Sequence, residues 1–239
     1  IDISMGEGHT LLLTTDGKVL ASGLNTYGQT GKANGKSNTF EKIDLDELVC
    51  QIAAGTNHSE LLTVDGEIYS MGYNGNGQLG LGNKENVTIP TKVTGLTNVS
   101  RITAGKNYTM ALDYNQKVYS AGSNSNGELG IGTDEDQTKF ANVSSLENVM
   151  EIDSGETYSV AIKYDGNVYG WGNYYHGLQN IKTRTNSRIP VTIGNETSYA
   201  KQQEIIVNVN STKQAEITPK YTFNVFKDDE TKEKYTYET

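Results

Sequence analysis

The 239-residue sequence has one cysteine, three prolines, one tryptophan and four phenylalanines. The lone cysteine, Cys50, excludes an internal disulfide and any zinc cluster built on cysteines. Its apolar setting, "LVCQIAAG", reads as a small packing residue rather than a nucleophile. No run approaches the about 18 apolar residues of a membrane-spanning helix, so membrane insertion is not expected. The opening "IDISMGEGH" lacks the basic-then-apolar order of a secretory leader. The protein is therefore either not exported or begins upstream of Ile1. Positive charge is short as well. Lys and Arg total 20 against 29 Asp and Glu, a net charge of -9, with no dense basic run. Gripping a phosphate backbone depends on clustered cations, so nucleic acid is not an expected partner.

Only 35% of the chain is hydrophobic, whereas it holds 26 glycines and 15 tyrosines. That mixture fits many short strands separated by tight turns. Three series of glycines recur along it: Gly6, Gly55, Gly105, Gly155; Gly23, Gly72, Gly122, Gly172; and Gly28, Gly77, Gly127, Gly177. The spacing within each series is 49, 50 and 50 residues, which marks an array of supersecondary units.

Each unit reads as β. After the first glycine come "HTLLLTT", "HSELLTV", "YTMALDY" and "YSVAIKY", rich in strand formers. A turn follows, Asp16-Gly17, Asp65-Gly66 and Asp165-Gly166, with Asn115-Gln116 as the exception. Asp-Gly suits a two-residue hairpin turn in which both central positions take positive φ. The chain returns as "KVLASG", "EIYSMG", "KVYSAG" and "NVYGWG"; "VCQIAAG", "VSRITAG" and "VMEIDSG" supply a strand before each unit; "FEKIDL", "IPTKVT", "KFANVS" and "IPVTIG" suggest a looser fourth. Four antiparallel strands per unit with no helical pattern between them predict the blades of a β-propeller, over approximately 1–46, 47–96, 97–146 and 147–194. The glycines of "NGQLGLG" and "NGELGIG" then serve bends that need positive φ or close backbone approach. A phosphate cradle would need a helix after them, and none is patterned.

The residues Gly-x-x-His/Tyr, the Asp-Gly-x-Val-Tyr-x-x-Gly-x-Asn run and Gly-Gln-Leu-Gly-x-Gly resemble the repeat of the regulator of chromosome condensation family over about residues 1 to 194. The resemblance implies a propeller that usually closes with about seven blades. It does not imply one activity, because members include a nucleotide exchange factor for a small GTPase, ubiquitin-ligase modules, a plant ultraviolet photoreceptor and a secreted bacterial inhibitor of β-lactamases. The photoreceptor depends on clustered tryptophans, whereas Trp171 is alone here and takes the family's ordinary aromatic position. Residues 200–239 break the period. They predict two or three half-buried strands and resemble the opening of a bacterial immunoglobulin-like domain, truncated at Thr239.

Four blades suggest a partial propeller with two open sheet edges, free to self-associate or to borrow a strand from a neighbour or from residues 200–239. A closed ring of four or five blades is the competing arrangement. His9 and His58 share a repeat position with Tyr108 and Tyr158, which points to packing rather than catalysis. His176 has no second histidine at ligand spacing. The acidic loop Asp134 to Asp136 lacks an EF-hand pattern. No catalytic, cofactor or metal residues are expected, and no enzyme activity. The fourth unit departs from the repeat at Tyr174, Tyr175 and His176, and tyrosines on a loop are candidate anchors for a protein partner. The expected function is a non-enzymatic binding or adhesion module of an exported or surface-attached bacterial protein. The alternatives are nucleotide exchange or other regulation of a small GTPase, and secreted enzyme inhibition.

Overall fold

The computed structural model describes residues 1–32, 35–173 and 185–194, together with the backbone of three strands beyond residue 200. The chain divides into two units, Ile1–Gly194 and Asn195–Thr239. In the first unit, strands follow one another as antiparallel meanders. Blade 1 is β1 (Asp2–Met5), β2 (His9–Leu13), β3 (Val19–Gly23) and β4 (Ser37–Lys42); blade 2 is β5 (Val49–Ala54), β6 (His58–Thr63), β7 (Ile68–Gly72) and β8 (Val87–Lys92). Blade 3 is β9 (Val99–Ala104), β10 (Tyr108–Asp113), β11 (Val118–Gly122) and β12 (Gln137–Asn142); blade 4 is β13 (Val149–Ser154), β14 (Tyr158–Lys163), β15 (Val168–Gly172) and β16 (Ser187–Gly194). The second unit is one sheet of β17 (Glu204–Val209), β18 (Ala215–Phe226) and β19 (Lys232–Glu238). The molecule is all-β, and no helix among the described residues is long and apolar enough to cross a membrane.

Alternation of side chains along each strand gives every blade two apolar faces, and the cores form where faces of successive blades meet. Leu11, Leu13 and Val19 pack on Ile52, Leu61 and Met71; Leu62, Ile68 and Val93 on Ile102 and Ala111; Met110, Leu112 and Leu129 on Ile152, Ala161 and Trp171. Among the described residues, the first blade's other face has no such cover. Ile3 is 58% exposed, although its repeat equivalents Ile52, Ile102 and Ile152 are exposed by 4%, 2% and 4%. The four blades are thus an open arc. What the arc leaves open is a sheet face rather than the sheet edges expected from sequence, because blades stack face to face and each keeps its own inner and outer edge.

The inner edges are stitched by side chains. The Gln51 amide donates to the Ile102 carbonyl and accepts from the Ile102 N–H, both at 2.9 Å. Ser4 Oγ accepts from the Ala54 N–H at 2.9 Å, and the Thr103 and Ser154 hydroxyls meet at 2.6 Å. A backbone relay runs alongside, with Glu7 N–H on Thr56, Thr56 N–H on Lys106 and Lys106 N–H on Glu156.

Two local expectations are corrected. The Asp-Gly hairpins are not two-residue turns with both centres at positive φ. Thr14 N–H donates to the Lys18 carbonyl, Gly17 N–H donates back to Thr14, and of the turn residues only Gly17 is left-handed, at φ 75°. This is a longer loop closed by a glycine bulge, and Asp16 accepts the Thr14 hydroxyl instead of taking positive φ. The outer strands also begin two or three residues before the sequences quoted for them. Ile43, Val93 and Val143 follow the last strand residues, donate their N–H groups to the Val19, Ile68 and Val118 carbonyls and drop into the interblade cores, while the strand residues ahead of them are exposed or half-buried and show no alternation to read.

Candidate functional site

The partner residues expected from sequence, Tyr174, Tyr175 and His176, lie outside the described residues. Among the described ones, the repeat position of His9, His58 and Tyr108 is an interblade joint. His9 Nε2 is 2.8 Å from Ser59 Oγ and His58 Nε2 is 3.1 Å from Thr109 Oγ1. Both hydroxyls donate onward, Ser59 to the Gln29 carbonyl at 2.7 Å and Thr109 to the Gln78 carbonyl at 2.9 Å. A hydroxyl has one proton to give, so the ring N–H is the donor in each joint. In the third blade Tyr108 donates to the Tyr158 carbonyl and lies 3.0 Å from the Ser159 hydroxyl, which donates to the Glu128 carbonyl at 2.8 Å. Burial holds the imidazoles neutral, with His9 lowered to about 4 and His58 to about 3. Glycine precedes each ring because a Cβ at Gly105 would sit 2.0 Å from the Tyr108 ring, and the same clash recurs at Gly55 with His58.

Glu60 is a fully buried acid at a position that holds Leu11, Met110 and Val160 in the other blades. Its carboxylate side accepts the Ser70 hydroxyl at 2.6 Å and lies 3.3 Å from Thr109 Oγ1. Burial pushes its pKa well above the ordinary range, with the Ser70 and Thr109 hydroxyl contacts acting in the opposite direction.

The acidic loop is engaged in the fold. Asp136 receives Asn76 at 3.1 Å, Lys84 at 3.2 Å and the Asn124 N–H at 3.1 Å, and Asp134 pairs with Arg188. No group of three His, Cys, Asp or Glu that could hold a metal occurs among the described residues. Cys50 is exposed rather than packed, its thiol directed at the Leu62 and Thr63 carbonyls, and partial desolvation raises its pKa. Trp171 is fully buried, its Nε1 donating to the Glu128 carbonyl at 2.8 Å.

Concave surfaces occur among the described residues, and two of them carry charged or aromatic side chains on facing blades. A cleft of about 430 Å³ follows the inner strands, lined by Gln51, Arg101, Thr103, Glu151 and Asp153, with Arg101 and Glu151 paired at 2.8 Å. A second, of about 240 Å³, opens where the β10–β11 hairpin meets the start of blade 4, between Tyr114 and Tyr164, with Arg101, Gln116 and Met150. Sequence reasoning missed these tyrosines. The signal was the residue ahead of the hairpin turn, which is Thr15, Val64, Tyr114 and Tyr164 in successive units.

Stacked four-stranded blades joined by a repeated polar contact define a propeller assembled from tandem units, with its outward side chains on hairpins and loops. The chain belongs to the regulator of chromosome condensation (RCC1) repeat family: two descriptions of that repeat match it, one at residues 65–112 and 115–162, the other at 1–29, 49–78 and 99–128. Human WBSCR16 is similar at 28% identity and a TM-score of 0.72, over 80% of this chain and 51% of that one. Prp20p from Saccharomyces cerevisiae, whose structure was reported with its binding properties to Gsp1p and histones, is 25% identical with a TM-score of 0.72, over 81% and 50%. The yeast protein bound to Kap60 gives 24% and 0.74, over 82% and 48%. The chain spans about half the length of the solved structures it matches. No curated protein matches it.

Proposed function

We propose that this chain is a non-enzymatic protein-binding module of an exported or surface-attached bacterial protein. The observation that carries the reading is how the polar groups divide. Buried His9, His58 and Tyr108 at the repeat position join one blade to the next, while Tyr114 and Tyr164 stand outward on hairpins of a rigid frame. The resemblance of residues 200–239 to a surface-protein domain supports the compartment. Adhesion to a host or matrix protein and inhibition of a secreted enzyme are two forms of the same activity. Matrix proteins and secreted hydrolases passed over the immobilised chain are expected to give a saturable complex with one of them. Protease treatment of intact producing cells should remove the protein, and full protection would overturn the proposed location.

A second reading, catalysed nucleotide exchange on a small GTPase, draws on the family's exchange factor and on the yeast relative studied for binding to Gsp1p. Release of a fluorescent nucleotide from the GTPase separates the two: acceleration by this chain favours exchange, and an unchanged rate favours the binding module.

A further inference from the structure

We infer that the cleft between Tyr114 and Tyr164 is a docking site for an extended, basic peptide segment of a protein partner that inserts one apolar side chain. The inference rests on the binding-module reading and gives it a face. Tyr114 is 71% exposed, Tyr164 64% and Met150 44%, an apolar and aromatic surface that a folded chain has no internal reason to present. Their backbones are held. Tyr114 N–H donates to the Asn98 carbonyl at 2.9 Å and Tyr164 N–H to the Asn148 carbonyl at 3.1 Å, so the rings project from fixed points.

Gln116 is the independent clue. Its equivalents Gly17, Gly66 and Gly166 are left-handed, at φ 75°, 75° and 83°, and Gln116 takes the same conformation at 66°. An L-residue there is strained where glycine would not be. The backbone of Gln116 makes the bonds of the turn, with Asp113 and Val149, and its side chain lines the cleft without a hydrogen bond among the described residues. The unit thus keeps a costly residue whose side chain contributes nothing visible to the fold. Asn98 and Asn148, at φ 57° and 59°, flank the same cleft and complete the left-handed non-glycine residues among those described.

Charge selects the occupant. Around the cleft the acids outnumber the cations: Asp113 lines it, and Glu147 and Asp165 stand in the adjoining connection and hairpin outside any ion pair among the described residues, against Lys117 and Lys163, while the Arg101 in the lining is neutralised by Glu151 and the chain as a whole carries -9. A segment with Lys or Arg around one Leu, Met or aromatic residue fits both the rim and the ring-lined floor.

The probe is a displayed library of random dodecapeptides selected on the full chain at low salt. Enriched peptides are expected to be basic with one large apolar residue, and a labelled peptide from the pool should lose at least tenfold in affinity on Tyr114→Ala/Tyr164→Ala. Gln116→Gly should melt at a higher temperature than the parent and yet bind several-fold more weakly, a combination that a purely structural role would not produce. Peptides that bind these variants undiminished overturn the cleft and leave the binding-module reading standing. Acidic or neutral enriched peptides overturn the assigned occupant. Failure of any peptide to enrich counts against the cleft and the module together.

Discussion

At the residue scale, Glu60 and His58 set opposing pH dependences within one interblade contact. Glu60 has a raised pKa in the fold, so the stability it contributes is whole below its unfolded value near 4.5 and is lost as pH rises toward the folded one. Glu60→Gln removes that titration without changing shape, and its urea midpoint should gain on the parent between pH 5 and pH 8. Parallel pH profiles would refute this. His58 runs the other way: lowered from 6.5 to about 3 by burial, it supports the fold above 6.5 and withdraws that support as pH falls. His58→Tyr, the residue of the third blade, should reduce the loss of stability between pH 7 and pH 5 by roughly 2 kcal/mol. A glycine comparison tests the recurring bends. Gly130 and Gly95 are both left-handed, but a Cβ at Gly130 would lie 2.6 Å from Trp171 Nε1, and one at Gly95 would meet nothing within 4 Å. Gly95→Ala should cost about 1–2 kcal/mol for conformation alone, and Gly130→Ala measurably more in the same thermal melt; equal costs would mean that the Trp171 pocket yields freely.

At the scale of elements, the blades were legible because strand formers, turn residues and glycines return every 49 or 50 positions. Periodicity fixes which segments pair, and hydrogen bonding within each meander is local. The joints between blades were not legible. Gln51 binds both backbone groups of Ile102, some fifty residues away, and its own repeat equivalents Arg101 and Glu151 solve the same problem with an ion pair. No pattern rule links three different residue types doing one job. Gln51→Ala should lower stability by about 1–2 kcal/mol, and hydrogen exchange at the Ile102 amide should quicken beyond the global change; an unaltered Ile102 amide would show that water replaces the side chain. The hairpin loops illustrate the same limit: Asp-Gly announced a turn, but the longer loop recurs with Thr14, Thr63, Asp113 and Lys163 at the position that closes it, so no one side chain there signals the loop length.

At the scale of the molecule, the uncovered face of blade 1 governs behaviour in solution. Ile3 and Leu12 occupy positions that are buried in the other blades, so association of the isolated chain should proceed face to face and be driven by apolar burial. Sedimentation is expected to show concentration-dependent oligomers that Ile3→Lys/Leu12→Lys disperses without loss of β-structure. A parent chain that stays monomeric across the range would remove the idea.

The sequence by itself determined the all-β class, the repeat unit and the family, because a constant spacing of turn and strand residues constrains local geometry whatever the rest of the chain does. It also exposed the Asn115-Gln116 exception without saying what it meant. Only the tertiary structure decided that His9, His58 and Tyr108 are joints, that Glu60 is buried, and that Tyr114, Gln116 and Tyr164 share one cleft. Those properties belong to contacts between blades, where the surroundings of a side chain are made by residues some fifty positions distant and leave no mark on its immediate neighbours.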